Sequence, residues 1–221
     1  PPENQLVFIG NDVTSKYTSR GVREYEKIST YIKETVRKRK GNYLVFFPSY
    51  EMLEQVYEVF LETDISEECV CKLQNVHMTE EEREVFLAEF EKEQEKSLLG
   101  FCVMGGIFSE GIDLAQERLI GAILVGTGLP KVCTEREILK QYFDGRGLGG
   151  FDYAYLYPGM NKVLQSAGRV IRTATDRGCV ILLDKRFLRQ EYERLFPREW
   201  KQPVSGNVLH LQKALQEFWE L

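Results

Sequence analysis

Several common patterns are missing from this chain of 221 residues. No apolar run reaches the roughly 18 residues of a membrane-spanning helix, and no secretory signal pattern opens the sequence, so we expect no contact with membranes. Histidine is scarce, and neither His77 nor His210 has a cysteine or carboxylate at metal-ligand spacing. We expect no metal held by this chain. The first residue is Pro1 rather than Met, and we expect a piece of a longer protein.

The cysteines form no recognisable framework. There are five of them, and in the one close pair, Cys69 and Cys71, a single residue separates the two, which is not the usual metal-site spacing. An odd number without a framework favours the reduced thiols of an intracellular protein.

Two phosphate-binding fingerprints are also missing. No G-x-x-x-x-G-K-[ST] sequence occurs, so the chain lacks a P-loop of its own. The glycines of residues 126–128 follow an apolar run, but no G-x-G-x-x-G pattern develops around them and no acidic residue ends a strand about 20 positions later. We therefore expect no dinucleotide site.

Charge is unevenly distributed along the chain. The net charge is −5, yet residues 41–130 contain five basic and eighteen acidic side chains. Residues 1–40 contain nine basic and five acidic side chains, and residues 131–221 contain fifteen and eleven. This asymmetry allows a nucleic-acid surface built from the terminal thirds, which composition alone does not establish.

Short apolar runs alternate with helical patterns along the whole chain. This alternation predicts an α/β fold with a mostly parallel sheet and helices on both faces, in a single domain over residues 1–221. We expect the first run to be an edge strand. Ser49 is a predicted helix N-cap, and Thr79 with Glu82 a predicted capping box. The strand-forming runs are residues 6–9, 43–47, 70–73, 98–104, 120–125 and 180–183.

The most informative stretch is residues 165–172, QSAGRVIR, on a predicted helix. Arg169 and Arg172 are three residues apart and share a helical face, with Gln165 one turn earlier. The planar donor fork of arginine suits phosphate oxygens. Because the chain has no P-loop, we expect these side chains to meet a nucleotide that another segment holds. The alternative is that the arginines are solvated or paired with carboxylates.

A second group of polar residues follows the predicted strands. Ser49 and Tyr50 come after one strand, and the loop 105–113 comes after another. Ligands of open parallel sheets bind at the carboxyl ends of the strands. In this loop Ser109 offers a hydroxyl, while Glu110 and Asp113 offer carboxylates. The alternative is a simple strand-to-helix connection in which Asp113 caps a turn.

These stretches resemble the motifs of one helicase group. Residues 165–172 resemble motif VI of superfamily 2 helicases, and the sequence DKRF at residues 184–187 strengthens the match. Residues 106–113 resemble motif V, and residues 42–50 motif IV, of the XPD/DinG-type branch. The resemblance spans roughly residues 6–195. It implies the C-terminal, second RecA-like domain of an XPD/DinG-type superfamily 2 DNA helicase.

The resemblance also implies roles for individual residues. Arg169 and Arg172 would reach the ATP phosphates across an interdomain cleft, one of them as an arginine finger, and Gln165 would sense the γ-phosphate. Single-stranded DNA would be bound elsewhere on the same edge of the sheet. The other residues that the resemblance places at the nucleotide are Gly111, Asp113 and Gly168, and those near the DNA are Ser49, Tyr50, Ser109 and Glu110.

Cofactors and partners follow from the same resemblance. ATP and Mg²⁺ would be held mainly by an N-terminal helicase domain of the same polypeptide, which in many family members also carries an iron–sulfur cluster. The isolated chain would then hydrolyse ATP negligibly. We expect single-stranded DNA as a partner, a cytoplasmic, nucleoid-associated location, and a role in DNA repair or replication.

Other functions remain open at the level of sequence. The whole protein could be a nuclease-linked or purely ATP-hydrolysing member of the branch. The chain could instead be a catalytically inactive nucleic-acid-binding or interaction module, although the presence of both Arg169 and Arg172 argues against this. The last alternative is an unrelated doubly wound ligand-binding domain.

Overall fold

The computed structural model of the chain describes residues 2–93, 95–108, 119–170, 176–200 and 202–220. These residues build a seven-stranded sheet in the order β3-β4-β2-β5-β6-β1-β7, and every pair of neighbouring strands is parallel. The strands are β1 (Gln5–Gly10), β2 (Asn42–Phe47), β3 (Cys69–Leu73), β4 (Ser97–Val103), β5 (Gly121–Val125), β6 (Gly178–Leu183) and β7 (Val204–Gly206). The predicted parallel sheet is confirmed.

Helices connect these strands. Ser49 caps α2 by accepting from Met52 N, and Thr79 and Glu82 form the predicted capping box at the start of α3. A π-helical segment, Asp152–Leu156, runs directly into α5. The helices are α1 (Val22–Lys38), α2 (Tyr50–Leu61), α3 (Glu80–Glu89), α4 (Thr134–Asp144), α5 (Tyr157–Ala167), α6 (Gln190–Glu193) and α7 (Val208–Glu220). Among the described residues, no helix combines the length and hydropathy needed to cross a bilayer.

The sheet has a buried core on each face. Alternate side chains of a strand point to opposite faces, so Val45 and Phe47 of β2 pack with helices α1, α2 and α7. Leu44 and Phe46 of the same strand pack with α3 and α5 on the other face. Burial on both faces explains why the strands are continuously apolar rather than alternating.

The prediction of an edge position for the first strand is wrong. β1 lies between β6 and β7, where Phe8 pairs with Ile181 on one side and Val204 on the other. The outer strand, β7, has three residues, of which two are exposed. A strand this short and exposed leaves no apolar run, so the sequence gives no sign that β1 has a second neighbour.

Candidate functional site

Helix α5 ends before the arginine that the sequence placed on it. Its last residue is Ala167, and the N–H of the C-cap residue Gly168 donates to Leu164 O. Residues 168–170 form a turn in which Arg169 N donates to Ser166 O at 3.4 Å. The predicted shared helical face is therefore wrong for Arg169, because glycine is a poor helix former and the helix stops there. Arg172 lies outside the described residues.

The turn after α5 lies at the amino edge of the sheet. Val170 packs so closely on Gly178, the first residue of β6, that a side chain at Gly178 would collide with it. Gln165 and Gly168 are exposed and Arg169 is half-buried. Solvent, and hence a ligand, can reach this turn.

Two of the predicted nucleic-acid residues lie at the opposite edge. Ser49 and Tyr50 follow the carboxyl end of β2. A strand of six residues, as in β2 and β6, is about 20 Å long. The described residues predicted for the two ligands therefore do not share one edge. A helix that connects parallel strands runs antiparallel to them. The C-terminal end of α5 therefore lies at the amino edge of the sheet, whereas loops that follow strands lie at the carboxyl edge.

At the carboxyl edge, Tyr50 is held by a buried amide. Its hydroxyl accepts from Gln74 Nε2 at 2.9 Å, and Gln74 Oε1 accepts from Val103 N at 2.8 Å. Burial raises the pKa of Tyr50 above its ordinary value. The phenol therefore keeps its proton at neutral pH and is a hydrogen-bond donor. Sequence reasoning missed Gln74.

The loop after β4 begins with two glycines beside these residues. Gly105 has a φ of +71°. The side chain of Lys162 packs over Gly105, so a methyl group on Gly105 would lie only 2.9 Å from Lys162 Cε. Burial, and then the charge of Arg136, lowers the pKa of Lys162. The predicted site residues further along this loop, Ser109, Glu110, Gly111 and Asp113, lie outside the described residues.

A charged cluster follows β6 at the same edge. We call Thr14, Ser15, Asp184 and Arg186 the Asp184 cluster. The fully buried Asp184 carboxylate accepts from Ser15 N at 2.7 Å and from Arg186 N, Nε and Nη2 at 2.8–2.9 Å. Burial opposes ionisation, but these hydrogen bonds and the Arg186 charge outweigh it and hold the pKa of Asp184 below its usual range.

The Asp184 cluster was not predicted as a unit. Residues 184–187 entered the sequence argument through their resemblance to a helicase motif. One signal that could have found the cluster is an aspartate directly after six apolar, fully buried residues, since a buried charge needs partners. Elsewhere in the described ranges, no three His, Cys, Asp or Glu side chains group to hold a metal ion.

Residues 32–203 match the family model of the helicase C-terminal domain. A solved apo XPD structure superposes with a TM-score of 0.73 over 92% of this chain and 40% of its own, at 23% identity. Domain 2 of the Mss116p DEAD-box helicase superposes with a TM-score of 0.53 over 91% of this chain and 63% of its own, at 14% identity. These likenesses confirm the RecA-like fold.

Curated relatives are much longer than this chain. An ATP-dependent DNA helicase XPD of Sulfolobus acidocaldarius is 29% identical over 189 residues, which cover 81% of this chain and 31% of the relative. A 3'-5' exonuclease DinG of Staphylococcus saprophyticus is 26% identical over 219 residues, covering 98% and 23%. A relative from Methanocaldococcus jannaschii, named as a probable ATP-dependent helicase, is 28% identical over 197 residues, covering 84% and 30%. The chain thus spans less than a third of each relative.

Proposed function

Because the chain belongs to the helicase C-terminal domain family, we propose that it is the second motor domain of an ATP-dependent DNA helicase. The observation that carries the proposal is the solvent-accessible end of α5 and the turn after it, with Gln165, Gly168 and Arg169, in a sequence without a P-loop. These side chains can donate hydrogen bonds to phosphate, but the sequence has no P-loop whose backbone could hold the phosphates. A partner domain must then bring the nucleotide.

Arg169, at the amino edge, and Arg172 contact the ATP phosphates, and one of them acts as an arginine finger. The C-terminal end of a helix carries partial negative charge and repels phosphate. The affinity for ATP must therefore come from Arg169, Arg172 and Gln165, of which Gln165 senses the γ-phosphate. Gly168 lines the nucleotide. Gly111 and Asp113, which directly follow Ser109 and Glu110 along the chain, are not proposed for this edge. The N-terminal helicase domain holds most of the ATP and its Mg²⁺.

Single-stranded DNA passes Ser49 and Tyr50 at the carboxyl edge, and it also contacts Ser109 and Glu110. The half-buried position of Tyr50 at the start of α2, which solvent can reach, and its protonated phenol support this path. Nucleotide and DNA then occupy opposite edges of one sheet. The buried central strands β2, β5 and β6 connect the two edges, so closure on ATP would displace the DNA contacts. We place the protein in the cytoplasm, at the nucleoid, in DNA repair or replication.

ATP hydrolysis tests the proposal. The isolated chain should hydrolyse ATP negligibly. In the complete protein, Arg172→Ala should lower DNA-stimulated turnover about 10³-fold or more, the usual effect of losing an arginine finger. Arg194→Ala is the matched control, because Arg194 pairs with Asp152 on the surface and its loss should leave turnover unchanged.

The outcomes separate the candidate functions. Robust hydrolysis by the isolated chain would refute the shared-site proposal. An unchanged turnover in Arg172→Ala would remove that arginine from the cleft. A complete protein that binds single-stranded DNA but never hydrolyses ATP would instead be the inactive binding module.

A further inference from the structure

Gln74 joins three segments at the carboxyl edge. It follows β3, is 3% exposed, and its backbone N–H donates to Phe101 O at 2.9 Å. Its side chain accepts from Val103 N at 2.8 Å and donates to the Tyr50 hydroxyl at 2.9 Å. One buried amide therefore links the end of β4 to the first residue of α2.

Chemistry fixes the orientation of this amide. The backbone N–H of Val103 can only donate, so it must meet Oε1, which leaves Nε2 facing Tyr50. Because Nε2 can also only donate, the phenol oxygen is the acceptor in their bond. The O–H proton of Tyr50 therefore points away from Gln74, toward a different acceptor.

The loop after β4 packs against the same amide. A methyl group placed on Gly106 would lie 3.1 Å from Gln74 Nε2 and 3.1 Å from Val103 O, which is tighter than ordinary carbon contact. Gly106 N also donates to Val103 O at 3.2 Å. Gln74 is thus in contact with both stretches at this edge to which we assign DNA contacts, α2 and the loop that leads to Ser109.

We infer that Gln74 is a positioning residue, which holds the Tyr50 hydroxyl as a hydrogen-bond donor to a backbone phosphate of single-stranded DNA. The inference rests on the proposed function, in which Tyr50 lies on the DNA path. Phosphate is the matching acceptor because a protonated phenol offers a proton without adding repulsive negative charge. Gln74 itself is buried and touches no DNA.

A double-mutant cycle on DNA affinity tests the inference. The complete protein is titrated, without nucleotide, into a fluorescein-labelled oligothymidylate. Tyr50→Phe should weaken binding about 10-fold, the effect of losing one hydrogen bond to a charged group. Gln74→Glu keeps the acceptor for Val103 N but turns a carboxylate oxygen toward the phenol, which then donates inward. Gln74→Glu should also weaken DNA binding about 10-fold. When Tyr50→Phe is already present, the same substitution should weaken binding less than about 3-fold.

Acidification gives a readout that a purely structural role would not move. A neutral carboxylic acid can donate to the phenol oxygen as the amide does. The affinity deficit of Gln74→Glu should therefore shrink between about pH 8 and about pH 6. Gln55→Glu is the matched control for added charge, because Gln55 is exposed on α2, the helix that begins with Tyr50. The effect of Gln55→Glu on DNA affinity should be the same with and without Tyr50→Phe.

The possible results are distinct. The inference would be overturned if Gln74→Glu weakened DNA binding equally with Tyr50 and with Tyr50→Phe, or if its loss of affinity did not change with pH. Either result would leave the proposed DNA path intact. If Tyr50→Phe itself binds normally, the proposed DNA contact of Tyr50 fails instead. If Gln74→Glu does not fold by circular dichroism, Gln74→Met replaces it in the same cycle, with the same required coupling to Tyr50.

Discussion

Asp184→Asn is the sharpest test of what holds the carboxyl edge together. The Asp184 carboxylate is 0% exposed and is surrounded by donors from Ser15 and Arg186. An amide of the same shape offers one acceptor oxygen and one NH₂ group. On one side the NH₂ group would face only N–H donors of Arg186. On the other side only the hydroxyls of Ser15 and Thr14 could accept from it, while Ser15 N and Arg186 Nη2 would lose their acceptor. The Arg186 side chain, 12% exposed, would also lose its counter-charge.

The expected cost follows from this burial. Removing one partner of a buried ion pair costs about 3–5 kcal/mol, a large fraction of the about 5–15 kcal/mol that stabilises a typical domain. Asp152→Asn is the matched control, because Asp152 pairs with Arg194 at the surface, where the side chains are 28% and 49% exposed. Loss of that exposed pair should cost at most about 1 kcal/mol.

Urea unfolding followed by circular dichroism measures both variants. The unfolding midpoint of Asp184→Asn should fall well below that of Asp152→Asn, with similar slopes, because the surface exposed on unfolding is unchanged. Equal midpoints for the two variants would show that the buried charge contributes no more than an exposed one. The reasoning about Asp184 would then be wrong.

Three further perturbations test other features. Folding lowers the pKa of Asp184. The ionised carboxylate therefore stabilises the fold at pH values above its unfolded pKa of about 3.9, and this stabilisation is lost as the pH falls through the lower pKa of the folded state. The urea midpoints of wild type and Asp184→Asn should therefore converge only under strong acid. Gly147 has a φ of +71° and open space around it, so Gly147→Ala should lower the free energy of unfolding in urea by about 1–2 kcal/mol. Gly126 has a φ of +89° and lies against the Ser15 hydroxyl of the Asp184 cluster, so Gly126→Ala should lower it more. Equal losses would show that the added methyl group does not collide with Ser15. Burial raises the pKa of Cys69 to about 11, so iodoacetamide at about pH 7.5 should label the exposed Cys133 first by mass spectrometry, and the reverse order would contradict the burial of Cys69.

Much of the architecture could be predicted because it depends on local pattern. Continuous apolar runs predicted six of the seven strands, and side-chain chemistry predicted the caps at Ser49 and Thr79. These features require only nearest neighbours along the chain. β7 was missed because three residues with an exposed valine at Val204 carry no periodic signal.

The candidate site was harder to predict because it depends on direction and distance in space. Helical spacing suggested that α5 extends through Arg169, but Gly168 ends it. Placing ATP and DNA contacts on one sheet edge ignored the antiparallel course of that helix. Gln74 gave no signal at all, since its partners Tyr50 and Val103 are 24 and 29 residues away.

The position of β1 has a consequence for how the chain acquires its fold. β1 pairs with β6, and Ser15 bonds Asp184 across 169 residues of sequence. During synthesis from the N-terminus, β1 must therefore wait, without its neighbours in the sheet, until residues near 178 have emerged from the ribosome. Such long-range pairing slows folding and leaves apolar strand edges exposed in the meantime. We expect nascent chains that stop before β6 to depend on chaperones and to aggregate without them.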